Sequence, residues 1–248
     1  MDGEEIGTGE LNLPNASGNP ANPSCSEADM SHLSILSFPV FNWIGDGPSG
    51  GGCHAHTNCH SASAGGGTGM TATTLDIEKG LAAAKRGDYA AALRELRPLA
   101  DQGNARAQYF LGVLYFEGNG VTQDVAKAAE WFRKAAEQGD VNAQPSLGAM
   151  YARGLGVPQD DTKAVKWYRK AAEQGFAESQ VNLGLAYYNG QGVPQDHGKA
   201  YMWFSLAAEN GDREGAKGRD LLAKSMTSDQ IATAQNLARE WQEKRKMN

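Results

Sequence analysis

The chain has 248 residues, 40% of them hydrophobic, and its 29 Asp and Glu against 23 Lys and Arg give a formal charge of -6. No Lys or Arg precedes Lys79, whereas residues 1–70 hold seven acids, so the rest of the chain carries 22 acids against 23 bases and is almost neutral. Interspersed signs without a basic patch argue against nucleic-acid binding, and the longest apolar run of the tail, about Leu33 to Ile44, is too short to cross a bilayer and is broken by Pro39.

Residues 1–70 are rich in Gly, Ser, Asn and Pro and most of the stretch shows no period, which reads as a disordered tail. No basic residues precede its apolar run, so no export signal is visible and a cytoplasmic location is expected. All three cysteines, Cys25, Cys53 and Cys59, lie in this tail, so the remainder needs no disulfide. Cys53, His54, His56, Cys59 and His60 are zinc or copper ligand types. Their spacing fits no zinc knuckle, no second ligand pair closes a site and glycines flank them, so a metal-linked role stands only as the alternative reading. No cofactor is expected.

Residues 71–104 read as a helix pair. Leu75, Ile77, Leu81 and Ala84 form one apolar stripe, and after Gly87-Asp88 come Tyr89, Ala92, Leu93, Leu96 and Ala100. Pro98 falls inside that second helix, where it should remove a hydrogen bond and bend the chain.

One pattern is then written three times without a gap, at 105–140, 141–176 and 177–212. The shared frame reads Gln, Leu-Gly, Tyr, Gly-x-Gly-Val-x-Gln-Asp, Lys-Ala, Trp and Ala-Ala-Glu-x-Gly. A fixed period means stacked units that bury their core between neighbours. In each unit a first helix carries a small residue in its middle (Gly112, Gly148, Gly184), expected to admit a close neighbour. A two-glycine turn follows, and Asp124, Asp160 or Asp196 is placed to cap a second helix. That helix has an apolar stripe centred on Trp131, Trp167 or Trp203 and ends at Gly139, Gly175 or Gly211. Asp140 and Asp212 can cap the next first helix; Phe176 cannot. Residues 213–248 close the array: a polar helix with Leu221 and Leu222 inward, then a Thr227/Gln230 capping box leading into a face of Ile231, Ala234, Leu237, Ala238 and Trp241.

The joint spacing of Leu-Gly, Tyr, Gly-x-Gly-Val, Asp-x-x-Lys-Ala, Trp and Ala-Ala resembles the Sel1-like repeat, a relative of the tetratricopeptide repeat with a longer loop between its helices. The resemblance covers residues 105–212 fully and about 75–248 loosely, and the shorter turn of 71–104 is similar to an ordinary tetratricopeptide unit serving as an N-terminal cap. It implies an all-α, right-handed α-solenoid of stacked helix pairs that acts as an adaptor for other proteins. The cysteine pairs that some members carry in every repeat are missing here, which also leaves hydrolysis of cell-wall or antibiotic substrates without support.

The residues themselves point away from catalysis. The repeats hold one histidine, His197, at an exposed helix start; the recurring Asp/Lys pairs have the spacing of an N-cap, and the tryptophans lie on the buried stripe. In the tetratricopeptide family the first helices line the concave face. By register, that face consists of Arg106, Tyr109, Val113, Phe116 and Glu117 in the first copy and Asn142, Pro145, Ala149, Ala152 and Arg153 in the second. The third supplies Glu178, Val181, Leu185, Tyr188 and Asn189. Unlike the frame, these positions differ between copies, and their mixed apolar, aromatic and charged character suits an extended peptide or a partner helix. Pro145 sits oddly there, where a helical turn should already be established. The expectation is therefore a monomeric, non-catalytic scaffold that binds a protein or peptide, with no nucleic acid and no membrane.

Overall fold

The computed structural model describes the backbone of residues 69–247 and the side chains of 75–247. The tail, with its apolar run and its cysteine–histidine cluster, lies outside the described residues, except that Gly69 and Met70 already belong to the first helix. Among the described residues every element is a helix: α1 (Gly69–Lys85), α2 (Tyr89–Asp101), α3 (Ala105–Glu117), α4 (Val125–Glu137), α5 (Ala143–Arg153), α6 (Asp161–Glu173), α7 (Ala177–Asn189), α8 (His197–Glu209), α9 (Arg213–Ala223) and α10 (Ser228–Met247). From α1 to α9 each helix packs on the next, and the last helix, α10, folds back onto α8. The result is a helical solenoid with its core between successive pairs.

The repeat frame explains this stacking. Gly112, Gly148 and Gly184 have no Cβ because an aromatic ring occupies that space: a Cβ would stand 2.7 Å from Phe132 Cδ1, 2.8 Å from Tyr168 Cδ1 and 2.7 Å from Phe204 Cε1. The unit before the repeats uses the same device, with Gly80 seating Leu96. In the loop, Gly118, Gly154 and Gly190 cap the first helices in the left-handed conformation. The second loop glycine also makes a close approach. A side chain on Gly156 or Gly192 would strike the Val125 or Asp161 carbonyl at the start of the preceding second helix.

Caps behave as the side chains dictate. Asp124, Asp160 and Asp196 accept from the amides of Lys127, Lys163 and Lys199. Asn104 and Asp212 accept in the same way from Ala107 and Gly215, whereas Phe176 starts α7 with no side-chain cap. Thr227 and Gln230 exchange the two bonds of a capping box. A buried glutamine ladder ties pairs together. Gln108, Gln144 and Gln180 donate to the Ala100, Ala136 and Ala172 carbonyls of the preceding helix and accept from Gln138, Gln174 and Asn210.

Four expectations need correction. Leu75 is 58% exposed, because it lies off the side of the first helix that packs on α2; Ile77, Gly80, Leu81 and Ala84 form the buried side instead. Pro145 does not interrupt an established helix: α5 begins only at Ala143, after Asp140 has accepted from the Asn142 and Ala143 amides, so the proline occupies the first turn, where its missing N–H has no helical partner to lose. The buried-stripe expectation holds for Trp167 and Trp203 and fails for Trp131, which is only half-buried beneath Lys134; the deepest ring of each second helix is the next residue, with Phe132 and Phe204 fully buried and Tyr168 nearly so. Leu237 is exposed on α10, whose inner side is Ala234 and Ala238 with Trp241 edge-on to Trp203 at 5.3 Å.

Candidate interaction face

The first helices of the repeats, α3, α5 and α7, carry the expected face, and packing sorts its residues into two groups. Tyr109, Pro145, Ala149, Val181 and Leu185 are buried within the array. Helices α5 and α7 are buried along most of their length, because the preceding second helix and their own second helix press on both, and α9 of the next unit presses on α7 as well. Those five residues therefore shape the face without forming its surface. Arg106 and Asn189 are exposed, and Val113, Phe116, Glu117, Asn142, Ala152, Arg153, Glu178 and Tyr188 are half-buried.

Charge on this face is dominated by carboxylates placed at helix ends. Glu117 closes α3, Asp140 precedes α5, Glu178 opens α7 and Asp212 caps α9. Burial raises the Tyr109 hydroxyl well above its ordinary range, and Asp140, Glu117 and Glu178 add to the effect, so three carboxylates share one neighbourhood with that phenol. Burial pushes the Glu117 and Asp140 carboxyls upward; Asn119 opposes it at the first, and the Ala143 and Asn142 amides with Arg106 oppose it at the second. The largest effect falls on Glu178, which burial and then the negative charge of Asp212 raise to about 7.

Arg106 provides a counter-charge at the N-terminal end, where it holds Glu78 at 3.1 Å. Farther along, Tyr168 projects a hydroxyl that Phe132 and Phe204 lack at the same register, and its electrostatic neighbours are Arg153, Glu178 and Asp161. Neither the Tyr168 hydroxyl nor Glu178 Oε1 has a hydrogen-bond partner among the described residues. Tyr168, Asp140 and Asp212 were not among the expected face residues. The signal for Tyr168 was a hydroxyl in only one of three otherwise matching rings.

His197 is exposed at the start of α8, stacked on Tyr188 with ring centroids 5.4 Å apart. Among the described residues no group of three or more His, Cys, Asp or Glu is arranged to hold a metal ion, and the Cys53, His54, His56, Cys59 and His60 cluster lies outside them. No described helix is long and apolar enough to cross a membrane.

Comparison with known proteins agrees with the geometry. The Sel1 repeat model matches residues 105–140, 142–176 and 177–212. A Sel1 repeat protein from Oxalobacter formigenes superposes with a TM-score of 0.54 at 37% identity, over 56% of this chain and 57% of that one. A protective antigen of uropathogenic Escherichia coli strains displaying an SLR fold gives 0.49 at 31% identity, over 69% of this chain and 45% of that one. The chain thus spans about half the length of these structures. A search of the curated proteins finds no significant match. Solenoids of this type are generally protein–protein interaction scaffolds. With three matched repeats, the glycine-seated helix pairs and that structural likeness in hand, this chain is a helical solenoid that carries three tandem Sel1 repeats, at residues 105–140, 142–176 and 177–212.

Proposed function

We propose that the chain is a non-catalytic scaffold whose inner face, along α3, α5 and α7, receives a partner protein segment carrying basic side chains. The observation that carries this reading is the grouping of Glu117, Asp140 and Glu178 around Tyr109, with Glu178 Oε1 and the Tyr168 hydroxyl left without a hydrogen-bond partner among the described residues. Carboxylates held in a partly buried setting are costly unless an opposite charge meets them. A lysine or arginine of a docked segment would supply that charge, and the half-buried rings of Phe116 and Tyr188 at the two ends would pack its apolar side chains. The absence of catalysis is inferred from the general character of Sel1-type solenoids and from a face built of helix-end acids and phenols without a nucleophile–base pair.

Capture from native lysate by the full chain, compared with a Glu117→Gln/Glu178→Gln variant and a Phe116→Ala/Tyr188→Ala variant, tests the reading once circular dichroism shows both variants folded. A partner lost by both variants, and displaced from the parent by high salt, supports it. A partner retained equally by all three would place binding elsewhere and sink it.

A further inference from the structure

The repeat rule breaks at one register on the second helices. In the first two repeats an arginine there reaches the tyrosine hydroxyl of the next first helix: Arg133 Nη2 stands 3.5 Å from Tyr151 and Arg169 Nη2 stands 2.9 Å from Tyr187. In the third copy the same place holds Ser205, and α9 offers Ala223 where the tyrosine would be. Neither half of the bridge exists, and the buried Ser205 Oγ has no hydrogen-bond partner among the described residues. One turn earlier, the small Ala129 and Val165 of the first two copies give way to Tyr201.

The space so vacated is not filled by the next pair, because α10 leaves the stack and folds back on α8. A cavity of about 460 Å³ remains between α8, α9 and α10, within the size range of small-ligand sites. Its lining is rich in donors from three helices: Tyr201 and Ser205, Arg219, and then Gln235 and Arg239. Arg219 is paired with its exposed neighbour Asp220 at 2.7 Å, and Arg239 with Asn236 on its own helix, so each guanidinium is oriented by a local acceptor. The single carboxylate in the lining, Glu209, is engaged at Oε2 by Gln242.

We propose that this cleft binds the carboxylate of a small molecule or of a peptide C-terminus. The N–H groups of Arg219 and Arg239 not used on Asp220 and Asn236 approach from different helices and can meet the two oxygens of a carboxylate, and the unpartnered Ser205 hydroxyl supplies a further donor at the cavity wall. Glu209 repels a phosphate dianion more strongly than a singly charged carboxylate, and its Oε1, not engaged by Gln242, can accept an N–H next to the ligand carboxylate. The site is independent of the inner-face reading, since it uses none of that face's residues.

Titration calorimetry of the full chain with N-acetylglycylglycine, its C-terminal amide, glycine and inorganic phosphate tests this. Saturable binding of the capped acid, at least about tenfold weaker for the amide, is expected, as is about tenfold weakening in Arg219→Gln and again in exposed Arg239→Gln, with melting temperatures unchanged. Glycine binding more tightly than the capped acid would assign the carboxylate to a free amino acid, and the reverse order to a peptide terminus. Equal binding of acid and amide, response to phosphate alone, no response to either carboxylate, or arginine variants that bind like the parent would overturn the proposal.

Discussion

The ring of Tyr168 lies where a side chain on Gly148 would begin: a Cβ there would stand 2.8 Å from both Cδ1 and Cε1. The same relation links Gly112 to Phe132 and Gly184 to Phe204. A glycine in mid-helix costs about 1 kcal/mol relative to alanine, so the arrangement persists because the ring packs closely on the backbone. Gly112→Ala sets that gain against an overlap with a fully buried ring, and overpacking of this kind costs about 1–3 kcal/mol. We expect net destabilisation of about 1 kcal/mol, read as a lower urea midpoint with unchanged slope. A more stable variant would show that the ring yields and that the seat is not what holds the pair.

The glutamine ladder makes a second test. Gln144 donates to the Ala136 carbonyl at 3.4 Å and accepts from Gln174 at 2.9 Å, all between one unit and the next. Gln144→Leu removes both links from a buried side chain, although the Ala136 carbonyl still accepts from the Gly139 amide at 3.1 Å, and should cost about 1–3 kcal/mol. Gln174→Ala, at an exposed position, should cost under about 1 kcal/mol by the same thermal melt. Equal effects at the two sites would mean the ladder adds nothing beyond packing.

The three repeat tryptophans should not behave alike. Trp167 is 8% exposed and Trp203 is 5% exposed with Trp241 against it, whereas Trp131 is half-buried. Trp167→Ala is expected to cost about 3 kcal/mol or more and Trp131→Ala roughly half of that, since the cost follows how much of the deleted indole was packed away from water. Chemical denaturation of the two variants side by side measures the difference.

Stability should depend on pH through Glu178. Its folded pKa, about 7, lies above the ordinary 4.5, so the folded state binds the proton more tightly than the unfolded state. The stabilisation from protonation is complete below about pH 4.5 and is lost as the pH rises through 7. Glu178→Gln should therefore exceed the parent by roughly 1–3 kcal/mol at pH 8 and converge with it near pH 4.5. The raised Glu117 and Asp140 carboxyls act in the same direction in the parent and variant alike, so they cancel in the comparison. Denaturation midpoints of the two proteins across that range decide it, and a variant no more stable at pH 8 would remove Glu178 as a buried acid.

Periodicity alone determined the helices, their caps and the stacked architecture, because those depend on local spacing: a glycine at one register, an aspartate at the next, a stripe of apolar residues between. Residues 105–212 could be read copy against copy, and the structure follows that frame down to the capping bonds of Asp124, Asp160 and Asp196. What the spacing could not supply was depth. Whether Tyr109 or Phe116 meets solvent depends on how closely the neighbouring pair approaches, and that approach is set by Gly112, Gly148 and Gly184 meeting rings of another helix. Tertiary packing likewise decided that Phe132 rather than Trp131 fills the centre, that Asp140, Glu178 and Asp212 gather on one face, and that α10 turns back on α8 to leave a cavity at Ser205. Local chemistry repeats from unit to unit, but burial is a sum over neighbours, and the neighbours differ at each end of the stack.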